Sequence, residues 1–147
     1  MKLSNKGRYA VLAMVDIAKY ADEKPCKLSN IALRQNISLH FLEQIFLKLK
    51  KSNLVISHRG PGGGYSLSDR RENIKVSDVI AAVDESIKTT GCSNNPNSFC
   101  TGKSAKCLTH NLWEDLGNLI EDYLDSVSLK DLVEGNKKSF LQERIYE

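Results

Sequence analysis

SLHFLEQIFLKLKKSNLVISHRGPGGGYSL, residues 38–67, decides how the chain folds. Ser38 has the residue type that caps a helix, and Leu42, Ile45, Phe46 and Leu49 follow at i, i+3, i+4 and i+7, so a helix over residues 39–51 is predicted. The character then changes. Leu54-Val55-Ile56-Ser57 is apolar and β-branched, His58-Arg59-Gly60-Pro61-Gly62-Gly63-Gly64 is a glycine-rich tip, and Tyr65-Ser66-Leu67 alternates. A strand, a tip and a returning strand make a β-hairpin placed directly after a helix. Upstream, Ser29 is read as the cap of a short helix over residues 30–35, with Ile31 and Ala32 inward and Asn36-Ile37 as the turn. Two helices joined by a tight turn, the second opening on a clean cap and followed by a hairpin, are a helix-turn-helix with a wing.

The rest of the chain is built outward from that unit. Ser4 is read as capping a helix over residues 5–21, whose Ala10, Val11, Met14, Val15, Ala18 and Ala21 share one face. Pro25 ends it, because a residue before proline disfavours helical geometry. Cys26, in the first interhelical turn, reads as a structural thiol. After the wing, Ser77 is read as capping a short helix through Asp84. Apolar residues return at spacings of three and four from Leu108 through Leu112, Trp113, Leu116, Leu119, Ile120, Tyr123, Leu124 and Val127, which predicts a helix over residues 105–127, about 34 Å long. One small domain cannot cover such a stripe, so a second copy is expected against it. Ser128 and Asp131 form a capping box for a last short helix ending at Gly135.

The expected fold is therefore mainly α with a small β-hairpin wing. Residues 1–85 form a winged helix-turn-helix, 86–104 a loop, 105–135 a dimerisation helix with a short terminal helix, and 136–147 a tail. The charge agrees with a reader of phosphate backbones: residues 1–60 carry 11 Lys/Arg against 4 Asp/Glu, and residues 61–147 carry 10 against 14. Of the helix-turn-helix, Ser38, His40, Glu43 and Gln44 would meet a major groove first. Gln44 can pair with adenine, Glu43 can accept from cytosine, and a carboxylate penalises any site that offers it no donor. Arg59, with Gly60 and Gly62 at the wing tip, would enter a minor groove. A nucleotide-cradling loop is disfavoured at these glycines, since no Lys-Ser/Thr pair and no helix start follows them. No paired carboxylates or nucleophile–base set point to an enzyme. No apolar run reaches the roughly 18 residues of a membrane span and no secretory signal is legible, so a cytoplasmic protein is expected.

Between reader and long helix lies Cys92-SNNPNSF-Cys100-TGKSAK-Cys107-LT-His110, three of the four cysteines and one of the three histidines. In a reducing cytosol such clustering points to metal or redox chemistry. The residues alone leave three readings open: an iron–sulfur cluster, a structural Cys3His zinc site, and a metal-free thiol redox switch. The zinc reading lacks the usual short Cys-x2–4-Cys pair. The thiol switch leaves His110 unexplained.

Together NKGRYAVLAM, ISLHFLEQIF, RGPGGGYSL, VIAAVDES and CLTH-x-LWEDL resemble the iron–sulfur regulators of the Rrf family of bacterial winged-helix transcription factors, over residues 1–133. The resemblance implies a homodimer on a double-stranded DNA operator, with one [2Fe–2S] cluster per subunit held by Cys92, Cys100, Cys107 and His110. It implies DNA reading by His40, Glu43, Gln44 and Arg59, and repression of cluster-assembly genes when loaded. The chain departs from the family pattern in two places. The loops between cysteines hold seven and six residues where about five are expected, and His40 stands where a small polar residue is expected. A related nitric-oxide sensor carries an acidic residue near position 8; Arg8 here, with His110 retained, favours [2Fe–2S].

Overall fold

The computed structural model describes residues 3–21, 24–85 and 107–135. Helices α1 (Asn5–Tyr20), α2 (Leu28–Gln35) and α3 (Leu39–Lys51) lead into strands β1 (Val55–His58) and β2 (Gly64–Leu67), and helices α4 (Val76–Ala82), α5 (His110–Ser126) and α6 (Leu129–Glu134) follow. The result is the expected mainly helical fold with one antiparallel hairpin, in register Val55↔Leu67 to His58↔Gly64. Among the described residues, no helix is long and apolar enough to cross a membrane.

One core gathers all the elements of the head. Ala10, Met14 and Ile17 of α1, Ile31 of α2, Leu42, Ile45, Phe46 and Leu49 of α3, and Val79 of α4 are buried in one cluster with Val55 and Leu129. The i, i+3, i+4 spacing in α3 is thus read correctly by the packing. Ser4 caps α1 by accepting from the Lys6 N–H, and Ser38 caps α3 by accepting from the Phe41 N–H.

Two short helices start earlier than their serines predict. The Cys26 N–H donates to the Tyr65 carbonyl and the Tyr65 N–H to the Cys26 carbonyl, both at 2.8 Å, which adds a third backbone segment to the wing. This pairing holds the chain extended through Lys27, and α2 begins at Leu28 directly afterwards, so Ser29 is not its cap. Likewise α4 begins at Val76. Its N-terminus is stitched to the end of α5 by Val76 N–H to Val127 carbonyl (2.9 Å) and Leu129 N–H to Ile74 carbonyl (3.0 Å). Asp78 takes the Lys75 N–H, and Ser77 instead donates to Asp125 of α5 at 2.8 Å. The capping box of α6 forms as expected, Asp131 N–H to Ser128 and Ser128 N–H to Asp131, and Gly135 ends the helix at φ 65°.

Glycines at the wing answer to space as well as conformation. Gly64 has φ 152°, and a Cβ there would lie 2.4 Å from the Cys26 carbonyl oxygen, so only glycine permits the third segment to pair.

Beneath the reading unit Asp16, buried in α1, takes Arg34 at 2.5 and 3.0 Å and the Gln35 amide at 2.7 Å. Arg34 also donates to the Cys26 sulfur at 3.1 Å and covers the Tyr20 ring at 4.7 Å. The hydrogen bonds to Asp16 hold the Arg34 guanidinium above its ordinary pKa. This network ties α1, α2 and the strand-like Cys26 together. Asp16→Ala is expected to cost about 2–3 kcal/mol, below the roughly 3–5 kcal/mol of a fully buried pair because a third of the Arg34 side chain reaches water, and urea unfolding measures it.

Candidate nucleic-acid interface and metal centre

The turn into α3 is made by Asn36, which ends α2 in the left-handed region at φ 53°, and by the Ile37 N–H, which donates to the Ala32 carbonyl at 3.1 Å. Burial of Leu42, Ile45, Phe46 and Leu49 then decides which face of α3 is left outside. Ser38, His40, Glu43 and Gln44 are all exposed, together with Leu47. Three of these side chains touch one another. His40 Nε2 lies 3.2 Å from the Gln44 amide nitrogen, and His40 Nδ1 lies 3.9 Å from the Glu43 carboxylate. Lys48, Lys50 and Lys51 fill the last turn of α3, where positive charge complements the helix dipole and adds to the basic surface.

The wing is fixed to that helix by ring contact, Phe46 of α3 against Tyr65 of β2 with centroids 4.9 Å apart and ring planes tilted by 59°. At the tip Gly60 adopts φ 98°, and the Gly63 N–H closes the turn on the Gly60 carbonyl at 2.9 Å. Arg59, Gly60 and Gly62 are exposed there. His58 is engaged within the hairpin, its Nε2 2.7 Å from the Ser66 hydroxyl. The reading helix and the wing therefore project as one unit from one core. The arrangement can lay a polar helix face in a groove and reach an adjacent one with an arginine.

Of the four expected ligands, Cys92 and Cys100 lie outside the described residues. Cys107 is a free, half-buried cysteine, and His110 opens α5. The helix over residues 105–127 starts later than its periodicity predicts. Among the described residues α5 runs over 17 residues, about 26 Å, and Cys107 sits in the turn before it rather than on it. Leu108 is fully exposed, so burial gives nothing for extending the helix backward. The two ligand candidates still lie together across that turn, the His110 N–H donating to the Cys107 carbonyl at 3.1 Å. The Cys107 sulfur is 3.8 Å from the Thr109 hydroxyl, and His110 Nε2 is 3.9 Å from the Glu114 carboxylate.

The sequence did not disclose what borders the other end of this segment. Asp84 follows α4 in the left-handed region at φ 57° and accepts from Lys48 of α3 at 2.6 Å. Lys48 in turn holds the Asp84 carboxyl below the usual carboxylate range. One Glu85 oxygen accepts from the Ser4 N–H at 2.7 Å, while the other is buried against Gly7, where a Cβ would approach it to 2.0 Å. Burial pushes the Glu85 carboxyl up, but Ser4, the Gly7 backbone and the Lys6 charge outweigh it and hold it low. Only the αL tolerance of aspartate hinted at any of this; the pairings themselves span 36 and 81 residues.

A profile of the Rrf2 family, described as an iron-dependent transcriptional regulator, matches residues 3–135. The chain is 46% identical to the HTH-type transcriptional regulator IscR of Vibrio campbellii over 98% of its own length and 84% of the relative's. It is 49% identical to the regulator of the same name from Aliivibrio salmonicida, with the same coverage. Among solved structures it resembles CymR, the global cysteine regulator of B. subtilis, with TM-score 0.78 and 31% identity over 93% of this chain and 99% of that one. It also resembles T. potens IscR, with TM-score 0.76 and 34% identity over 100% and 97%. A helix-turn-helix and wing sharing one core, in a chain matched along nearly its whole length by regulators of this kind, establish that it belongs to the Rrf2 family of DNA-binding, winged-helix transcription regulators.

Proposed function

We propose that the protein is a homodimeric transcription regulator that senses iron–sulfur cluster status through one [2Fe–2S] cluster per subunit and represses cluster-assembly genes when loaded. The observation that carries this reading is the make-up of α5. None of its residues is buried, and Leu112 (58% exposed), Trp113 (37%), Leu119 (41%) and Tyr123 (43%) present apolar surface on a helix that opens with His110 three residues after Cys107. Such a stripe calls for a partner helix, and a second copy of this chain supplies one with twofold symmetry. A dimer in turn suits a reading unit that would address two half-sites of an operator.

The donor set fits the group. Cys107 and His110 offer a thiol and an imidazole across one turn, and Cys92 and Cys100 supply two more thiols from the adjoining sequence. When bound, a cluster with an imidazole among its ligands supplies a redox centre with a raised potential. Thr109 and Glu114 stand beside the two described ligands and would tune them through their neighbouring atoms.

On the DNA side, His40, Glu43 and Gln44 face the major groove with Ser38 at the helix start, and Arg59 reaches the minor groove from a tip kept slender by Gly60 and Gly62. Glu43 sits within reach of His40, so its carboxylate is presented as an acceptor and penalises base pairs that lack a facing donor.

Three outcomes test this reading. Anaerobic purification is expected to give a brown protein with acid-labile sulfide, lost in Cys107→Ala; a colourless zinc protein overturns it in favour of a structural Cys3His site. Glu43→Ala is expected to relax site selection, and unchanged relative affinities across a panel of promoters would remove Glu43 from discrimination. Arg59→Ala should weaken binding and lower the salt slope of log affinity by about one.

A further inference from the structure

The described elements connect the two ends of the proposed sensor to the reading face without invoking any others. At its N-terminus α4 is joined to the end of α5 by the Val76–Val127 backbone bond and by Ser77 to Asp125, and the Ile74–Leu129 bond ties the chain before it to the start of α6. At its C-terminus, Asp84 grips Lys48 of α3 at 2.6 Å. Lys48 falls four residues after Gln44 and eight after His40, so all three belong to one stripe of the helix. A short rod therefore touches the ligand-bearing helix at one end and the reading stripe at the other.

We propose that α4 couples α5 to the reading helix and that Asp84 is the positioning residue that delivers this coupling, through Lys48, to the face bearing His40 and Gln44. The inference rests on the cluster-sensing reading and specifies how that reading reaches DNA. The conformation of Asp84 supports it. A left-handed residue just past the helix sets the direction in which the chain leaves α4, and the same residue carries the carboxylate that meets α3. Glu85, the next residue, anchors the start of α1 through Ser4, so the exit from α4 is held against two helices of the head at once. The exposure of the Lys48–Asp84 pair supports it as well. The pair is 37% and 76% exposed, so it adds little to folding and can be remade at small cost, as a contact that differs between two states must be.

Asp84→Asn isolates the contact, because asparagine tolerates the left-handed region while losing the charge. The full chain is compared with and without cluster, on the duplex that the loaded wild-type protein selects from a random-sequence library. Two readouts are taken: the ratio of loaded to cluster-free affinity, and hydrogen exchange of the α3 amides in each state. In Asp84→Asn the ratio is expected to shrink by about two- to fivefold, as befits one exposed pair, with cluster-free affinity within about twofold of wild type. The difference in α3 exchange between the two states shrinks with it. Lys48→Arg, which keeps charge and reach, retains the wild-type ratio. Asp84→Gly, which relieves any backbone strain, behaves as Asp84→Asn. If wild type shows a ratio that both Asp84 variants preserve, the contact has no such role although sensing stands. If loaded and free wild-type protein bind alike, sensing itself fails and the coupling falls with it.

Discussion

Burial of one face of α3 governs what the rest of this protein can present. Leu42, Ile45, Phe46 and Leu49 are almost wholly excluded from solvent. A helix of 13 residues with four side chains so committed has no rotational freedom left, since a turn of one position would lift apolar surface into water at roughly 25 cal/mol per Å2. The outward stripe of His40, Glu43 and Gln44 is therefore chosen by the core and not by its own contacts. The wing depends on the same commitment. Phe46 packs on Tyr65, Tyr65 pairs by backbone with Cys26, and Cys26 is held by Arg34, whose partner Asp16 is buried in α1. Helix, wing and scaffold thus share a single chain of contacts, and none can be repositioned alone.

How much of this was legible depended on whether the signal was local. The α3 periodicity, the turn at the wing tip and the Ser128 capping box each act within a few residues and are legible in the sequence, whereas the demand for glycine at position 64 comes from Cys26, far away along the chain. At α2 and α4 a serine in a plausible capping position points to a later start than the fold adopts, because backbone pairing from far away sets the start: Tyr65 fixes Cys26, and Val127 fixes Val76. Periodicity likewise overstated α5, since Leu108 fits the stripe in sequence yet is fully exposed. The same logic explains the site. Exposure of His40, Glu43, Gln44 and Arg59 follows from the pattern of their buried neighbours, whereas the Lys48–Asp84 and Ser4–Glu85 contacts depend on a fold that brings the ends of three helices together. Cys92 and Cys100 lie outside the described residues, so their part in the site still rests on chemistry and spacing.

The distribution of strong and weak contacts also bears on how such a regulator could respond. Contacts inside the head are of the costly kind: a buried carboxylate with a guanidinium, packed aromatic rings, a close-packed apolar centre. Those at its border with the sensor are of the cheap kind. Ser77–Asp125 and Lys48–Asp84 are solvent-exposed, and none of the residues of α5 is fully buried, Leu124 making a partly buried contact with Val76 and Ile80. A cluster that orders its surroundings can shift an equilibrium only by its differential interaction with the two states. Rearranging the head would demand the free energy of the core. Helix α4 belongs to that core through Val79, so it stays with the head; remaking the exposed pairs at its two ends costs far less, on the scale at which binding at a distant site is typically coupled. On the proposed function, the reading unit stays intact in both states, and what changes is how firmly it is aimed. On that reading the regulatory variation falls on the two ends of α4 and on the helix that bears His110, because these are where exposed contacts meet the head.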